Sequence, residues 1–128
     1  MKNRTEGIER YLVCLKSDVF GKKVSLELIR HLSPITIERL YRNIPLSGMV
    51  VRDRDVIYIS IPIEARVEKP RNKLRRGQVG YSPAKKMLVI ALSDVRLNEK
   101  INSLGRITGG LEELENLRTG SIVRLERP

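Results

Sequence analysis

The most pronounced chemical feature of this sequence is a cluster of basic side chains. Between residues 69 and 93 seven side chains are basic and none is acidic, in a chain whose net charge is +10 at pH 7. These seven candidate anion-binding residues are Lys69, Arg71, Lys73, Arg75, Arg76, Lys85 and Lys86. Such cations can contact the phosphates of a polyanion, or they can keep an exposed sheet edge from pairing with other chains. Aromatic residues make up only 4% of the chain, which leaves few platforms for base stacking, so nucleic acid is not the favoured partner.

Groups that could carry out catalysis or hold a metal are sparse. His31 is the single histidine and Cys14 the single cysteine, so neither a zinc cluster nor an intrachain disulfide can form. Cys14 lies in an apolar run and is predicted to be a small buried hydrophobe. Asp53 and Asp55 alternate with arginines and are predicted to cap the amides of a turn. No phosphate-binding loop, dinucleotide fingerprint or nucleophile elbow is present, so we predict no catalytic residue, no metal and no cofactor.

The elements that must position these side chains are mostly short strands. Alternating or β-branched segments predict strands at 9–15, 35–40, 49–52, 56–61, 77–81, 87–92, 101–107 and 121–125. Two leucine-bearing segments with helical spacing predict helices at 24–32 and 110–117. Strands at this spacing are typical of a barrel or a sandwich. The residues expected to share one core are Ile57, Ile59, Leu88, Ile90, Ile122 and Val123, and the 87–92 run is expected to be buried on both faces.

The chain is expected to form one domain over residues 9–128, preceded by a loose tail at 1–8. The N-terminus lacks an apolar signal core, and no window approaches the roughly 18 apolar residues of a membrane helix. We therefore expect a cytoplasmic protein with no membrane contact.

Two segments and the end of the chain carry a family resemblance. The sequence GQVGYSP at 77–83, followed by the apolar residues 88–90, resembles a G-D-(V/I)-A-Y-W-P-P-G element that leads into a strand. The sequence RDRDVIYI at 52–59 resembles R-W-G-D-E-I-Y-F, and 102–107 and 120–125 match in order and spacing. Together they are similar to the small single-domain cyclophilin-like proteins of archaea and bacteria. The matching positions are Tyr58, Gly77, Tyr81, Pro83 and Gly105, whereas the two tryptophans are replaced by Asp53 and Ser82 and the second proline by Ala84.

The resemblance implies a mainly β fold, a closed antiparallel cyclophilin-like barrel of about eight strands with two short helices. It carries no established reaction with it. Prolyl isomerases of the true cyclophilin type rely on an arginine in an F-H-R-like segment and on an F-x-x-Q pattern. Neither is present here, where the only phenylalanine is Phe20.

The leading functional hypothesis is a non-catalytic module that binds a peptide, a small ligand or a polyanion. Its candidate ligand-binding residues are Arg52, Tyr58, Tyr81 and Pro83. One alternative is a divergent peptidyl-prolyl cis/trans isomerase, in which Arg52 would donate to the twisted amide. The other is a basic nucleic-acid-binding protein, which clustering of the basic residues on one face would favour.

Overall fold

The computed structural model describes residues 9–128, and the predicted tail at 1–8 lies outside them. Nine strands contain half of the described residues. They are β1 (Arg10–Lys16), β2 (Val24–Ile29), β3 (Leu46–Asp53), β4 (Val56–Ser60), β5 (Arg71–Leu74), β6 (Gln78–Ser82), β7 (Met87–Ala91), β8 (Val95–Gly109) and β9 (Ile122–Glu126). The helices are α1 (Pro34–Asn43) and two 3-10 helices, Arg30–Leu32 and Leu111–Asn116.

Eight of the strands close into an antiparallel barrel. Their order is β2-β1-β9-β3-β4-β7-β6-β8, and β8 returns to pair with β2. The last strand, β9, therefore lies between β1 and β3. β5 is the ninth strand and pairs with β8 alone. This arrangement confirms the predicted closed barrel of about eight strands.

The longest strand, β8, takes part in two structures. Its second half pairs with β6 and β2 and completes the barrel. Its first half, residues 95–101, pairs with β5. We call β5 together with residues 95–101 the ribbon. Residues 95–101 alternate between half-buried or buried and exposed, as expected of a strand that covers another surface with one of its faces.

Two apolar clusters hold these layers together. The larger fills the barrel with side chains from its strands, among them Ile57, Ile59, Leu88, Ile90 and Val123. The smaller lies between the barrel and the ribbon and consists of Val56, Tyr58, Leu74, Val89, Ala91 and Ile101. β7 contributes alternate residues to both clusters, which confirms the prediction that this run is buried on both faces.

The predicted helix at 24–32 is wrong. Residues 24–29 form β2 and residues 30–32 a single 3-10 turn. Val24, Leu26 and Leu28 are buried at a spacing of two, a pattern that the helical spacing of Val24, Leu28 and Leu32 concealed. β2 has a partner strand on each side, so backbone pairing with β1 and β8 decides its conformation.

The predicted strand at 35–40 is wrong for a related reason. These residues belong to α1, which starts at Pro34, where a fixed φ and a missing N–H suit the first helical position. Ile37 and Leu40 face the larger cluster at a spacing of three, while Ile35 is exposed. The predicted helix at 110–117 is present as the 3-10 helix Leu111–Asn116.

Among the predicted core residues, Ile122 is the exception. It is 53% exposed, whereas Val123 beside it is fully buried, because alternation in β9 sends only one of the two into the barrel. Residues 95–100, which lie between the predicted strands at 87–92 and 101–107, also belong to β8. Among the described residues, no helix is long and apolar enough to span a membrane.

Candidate functional site

Tyr81 lies inside the barrel. Its side chain is fully buried, and its hydroxyl donates a hydrogen bond to the carbonyl oxygen of Ile61 at 2.7 Å and accepts one from the amide of Ile63 at 3.2 Å. Burial raises the pKa of this phenol above its usual 10.0. Tyr81 therefore anchors the irregular segment after β4 to β6, and no surface of it faces solvent.

The Arg52 side chain links the end of β3 to the 3-10 helix at 111–116 by hydrogen bonds. Its guanidinium donates to the carbonyl oxygens of Glu115 at 2.7 Å and Leu117 at 2.9 Å. It also donates to the carbonyl of Arg54 at 2.9 Å and to the carboxylate of Glu115 at 3.1 Å. These bonds use most of its five N–H donors, which leaves little capacity for a bound ligand.

Tyr58 and Pro83 lie on the outer side of the barrel. The ring of Tyr58 is buried beneath the ribbon, and burial raises its pKa above 10.0. Pro83 is half-buried in the turn between β6 and β7. The structure thus separates the four candidate ligand-binding residues, because Tyr81 faces the interior, Tyr58 the ribbon and Arg52 the 3-10 helix.

A polar cluster joins the ribbon to the barrel beside Tyr58. The Lys85 ammonium lies 4.5 Å from the Tyr58 ring centroid and 2.9 Å from a carboxylate oxygen of Glu99. The other oxygen of Glu99 accepts a hydrogen bond of 2.6 Å from the buried Ser82 hydroxyl. The bond to Glu99 raises the pKa of Lys85 above 10.5. The charge of Lys85 is therefore already matched within the protein.

A second internally matched charge is found on β2. The Glu27 carboxylate is buried between Arg106, whose Nε lies at 2.8 Å, and Arg10, whose nearest nitrogen lies at 3.3 Å. Burial acts to raise the pKa of Glu27, but the hydrogen bond from Arg106 and the charge of Arg10 outweigh it, so the pKa falls below 4.5.

Most of the remaining predicted cations are exposed along the ribbon or in the turn that follows β5. Lys73 on β5 stands directly opposite Arg96 on β8, and side chains of opposed residues share one face. Arg71, Arg75 and Lys100 are also exposed along the ribbon and the turn that follows β5. Arg76 follows in the same turn and is exposed as well. We call these six residues the ribbon cations: Arg71, Lys73, Arg75, Arg76, Arg96 and Lys100.

The ribbon cations differ from the other basic residues of the 69–93 stretch. Within residues 9–128 none of the six takes part in an ion pair. Lys85 is paired with Glu99, and Lys86 reaches Glu64 at 3.9 Å. Lys69 is exposed just before β5, in a left-handed conformation with φ of 48°. Within the described residues, the structure thus separates four of the predicted cations, which lie along the ribbon and form no ion pair, from Lys85 and Lys86, which each form one. Lys69 forms none either, but it lies before β5.

Two members of the ribbon cations, Arg96 and Lys100, were missed in the sequence. Both fall in the segment V-R-L-N-E-K-I at 95–101, whose alternation of apolar and polar residues is the pattern of a half-buried strand. Glu99, the one acidic residue in this segment, points toward the barrel, where it meets Lys85 and Ser82. The outward face of this segment therefore carries cations without the acid that the sequence places among them.

Two shallow recesses lie along the ribbon. One, of about 420 Å³, is bordered by Arg71 and Lys100. The other, of about 340 Å³, is bordered by Lys73, Arg75 and Arg96. Asp94 borders this second recess, where its carboxylate accepts the backbone N–H of Arg76 at 2.9 Å. Groups of three or more His, Cys, Asp or Glu side chains that could hold a metal are absent from the described part of the chain.

Comparison with known proteins agrees with this architecture. A family model described as Cyclophilin-like matches residues 14–126, so the chain belongs to the cyclophilin-like family. The resemblance seen in the sequence is thereby confirmed. No curated protein gives a significant match.

Two of the solved structures with a similar fold are the following. The solution structure of the hypothetical protein AF2241 from Archaeoglobus fulgidus superposes with a TM-score of 0.80 at 20% identity, covering 98% of this chain and 100% of that one. The structure of McbB in complex with tryptophan gives a TM-score of 0.66 at 15% identity, covering 90% of this chain and 44% of McbB. At these identities the likeness extends to the fold alone.

Proposed function

We propose that this cyclophilin-like domain is a non-catalytic module that binds an extended polyanion along the outward face of the ribbon. The observation that carries the proposal is the set of ribbon cations, six exposed basic side chains without an ion-pair partner in residues 9–128. Unpaired cations on a surface attract phosphates or carboxylates and release the counterions of a polyanion when they bind it.

The layout of the ribbon cations suits an extended ligand better than a compact one. Arg96 and Lys100 are four residues apart on one face of β8, which places them about 13 Å apart along the strand. Lys73 stands opposite Arg96 across the ribbon. A single small anion cannot contact cations distributed over such a length, whereas successive charges of a polymer can.

The proposed binding mode is electrostatic and independent of base sequence. The four tyrosines are Tyr11, Tyr41, Tyr58 and Tyr81, and none of them belongs to the outward face of the ribbon. Without a stacking platform, affinity for a nucleic acid would come from phosphate contacts and would fall steeply with salt. The engagement of Arg52 by backbone carbonyls supports a non-catalytic role over the prolyl isomerase alternative.

The test is a titration of the full chain with a fluorescently labelled 20-base-pair DNA duplex at several salt concentrations. A second arm uses poly-glutamate, which presents carboxylates in place of phosphates. We expect duplex binding whose logarithm falls linearly with the logarithm of salt concentration, with a slope near −3 or steeper for three or more phosphate contacts. The triple variant Lys73→Gln, Arg96→Gln, Lys100→Gln should weaken binding at least tenfold and flatten the slope.

The matched control removes the same number of charges from elsewhere. Arg39, Arg42 and Arg118 are exposed and lie outside the ribbon, so the triple change of these residues to Gln tests the effect of net charge alone. We expect this control to weaken binding by less than threefold. Equal losses in the two triple variants would overturn the proposal, since they would trace binding to overall charge. Binding of poly-glutamate alone would replace a nucleic acid with an acidic protein as the partner.

A further inference from the structure

A separate cavity opens where the end of β1 meets the loop that follows it. Its volume is about 530 Å³, within the range of sites that hold small molecules. Cys14 and Leu15 of β1, Phe20 of the loop, Glu126 at the end of β9 and the two residues that follow it contribute to its wall. None of the ribbon cations lines it.

The apolar part of this wall includes Cys14, which strand alternation would otherwise send to solvent. Val13 and Leu15 belong to the larger apolar cluster, and Cys14 between them points to the other side of β1. Cys14 is nevertheless only 6% exposed, and it belongs to neither apolar cluster. Cys14 therefore gives the cavity an apolar lining together with Leu15 and the half-buried Phe20, which pack with the barrel core.

The charged part of the wall is predominantly basic. Lys16, Lys22, Lys23 and Arg127 line the cavity together with a single acidic side chain, that of Glu126. Glu126 is already matched, because Arg124 donates to it at 2.6 Å and Lys16 lies at 3.7 Å. Within residues 9–128, Lys22 and Lys23 form no ion pair. An excess of positive charge thus borders an apolar lining.

We propose that this cavity binds a small amphipathic carboxylate. The apolar body of the ligand packs against Cys14 and Phe20, and its carboxylate faces Lys22 and Lys23. Apolar contact supplies affinity and the two ammonium groups select a negatively charged headgroup over a neutral one. The site is distinct from the ribbon and does not depend on the proposed polyanion binding.

The test compares two ligands that share a ring system and differ in charge. 2-Naphthoate and naphthalene-2-carboxamide are titrated into the full chain, and amide chemical shifts are followed by NMR. We expect naphthoate to bind at least tenfold more tightly than the carboxamide and to shift the amides of residues 14–23 and 126–127. The chain contains no tryptophan, so the naphthoate fluorescence gives an independent titration.

Two variants separate local from overall charge. Lys22→Gln with Lys23→Gln removes the proposed headgroup contacts, and both residues are exposed, so folding should be preserved. Naphthoate affinity should fall roughly tenfold in this double variant. Arg42→Gln with Arg118→Gln removes the same charge at a distance from the cavity and should leave naphthoate affinity within twofold. Equal binding of the two ligands, equal effects of the two double variants, or shifts confined to the ribbon would each refute the site.

Discussion

The barrel interior and the layer beneath the ribbon differ in the side chains that fill them. The barrel is filled with aliphatic side chains from its strands, and its one fully buried phenol, on Tyr81, has hydrogen-bond partners in the backbone. The layer beneath the ribbon has only six buried residues, and the ion pair of Lys85 with Glu99 lies along its margin. A small cluster with polar contacts at its edge has less free energy opposing local opening. The surface proposed to bind polyanions therefore rests on the weaker of the two layers.

The largest expected loss of stability comes from a substitution in the barrel interior. Leu88 is fully buried in β7 between β4 and β6, and Leu88→Ala should lower the free energy of unfolding by about 3 kcal/mol, since it removes buried methyl groups and leaves a cavity. Denaturant unfolding followed by circular dichroism measures the change. A loss below about 0.5 kcal/mol would contradict the description of a tightly packed interior.

A leucine-to-alanine substitution beneath the ribbon should lower the free energy of unfolding by less. Leu74 is 2% exposed and is the one residue of β5 in the smaller cluster. We expect Leu74→Ala to cost about 2 kcal/mol, because a two-stranded ribbon at the surface can settle partly into the space that is vacated. Hydrogen exchange should show faster local opening of residues 71–74 and 95–101, with β4 and β7 still protected. Uniform acceleration through the barrel would show that the two layers unfold as one.

The contacts of Glu99 with Lys85 and Ser82, at the edge of the ribbon, should contribute still less to the free energy of unfolding. Glu99→Gln leaves Lys85 without its carboxylate and weakens the hydrogen bond from Ser82. The expected cost is about 1 kcal/mol, since the Lys85 side chain is 49% exposed and water screens the pair. Lys86→Gln is the matched control, because Lys86 approaches its partner Glu64 only to 3.9 Å and both are well exposed. Equal costs for the two variants would assign no structural value to the Glu99 contacts.

The stability of the protein should also fall at both ends of the pH range, with the smallest effect of the series, because the pKa of Glu27 is lowered whereas those of Tyr58 and Tyr81 are raised. The lowered pKa of Glu27 makes its contribution full above pH 4.5, and this stability is lost as the pH falls through the folded-state pKa. The raised pKa values of Tyr58 and Lys85 make theirs full below about pH 10, and this stability is lost as the pH rises.

The measurement is the free energy of unfolding between pH 3 and 11. Glu27→Gln should flatten the acid limb of this curve and leave the alkaline limb unchanged. Tyr58→Phe, which removes the titrating hydroxyl, should flatten the alkaline limb only. A change of the same limb in both variants would contradict the opposite directions of the pKa shifts of Glu27 and Tyr58.

Much of the barrel could be predicted from the sequence because its strands carry their own signals. The alternation at 56–61 and the apolar run at 87–92 describe residues whose local pattern and final environment agree. Residues 24–32 were misread because Val24 and Leu28 satisfy both a helical and a strand spacing, and only pairing with β1 and β8 selects between them. Ile35 and Ile37 are β-branched, yet they lie in a helix whose start is fixed by Pro34 and whose first amides are bound by the Glu68 carboxylate.

The basic character of the candidate site could be predicted from the sequence, but the residues that form it could not. The excess of cations in residues 69–93 pointed to the ribbon, yet the sequence could not show that Lys85 turns toward Glu99. Nor could it show that Arg96 aligns with Lys73 on a neighbouring strand. Both facts depend on pairing between segments more than 13 residues apart, which local pattern does not encode.

The position of β9 sets the order in which this chain can fold. The hairpins β1–β2 and β3–β4 are local and can form early, but β1 and β3 meet only through β9, which ends at Glu126. Until that residue has left the ribosome, the nascent chain carries two open strand edges that its own sequence cannot yet cover. Closure therefore depends on long-range pairing, which is slow and exposes such edges to intermolecular association. The interval before β9 is in place is when these two edges can pair with other chains.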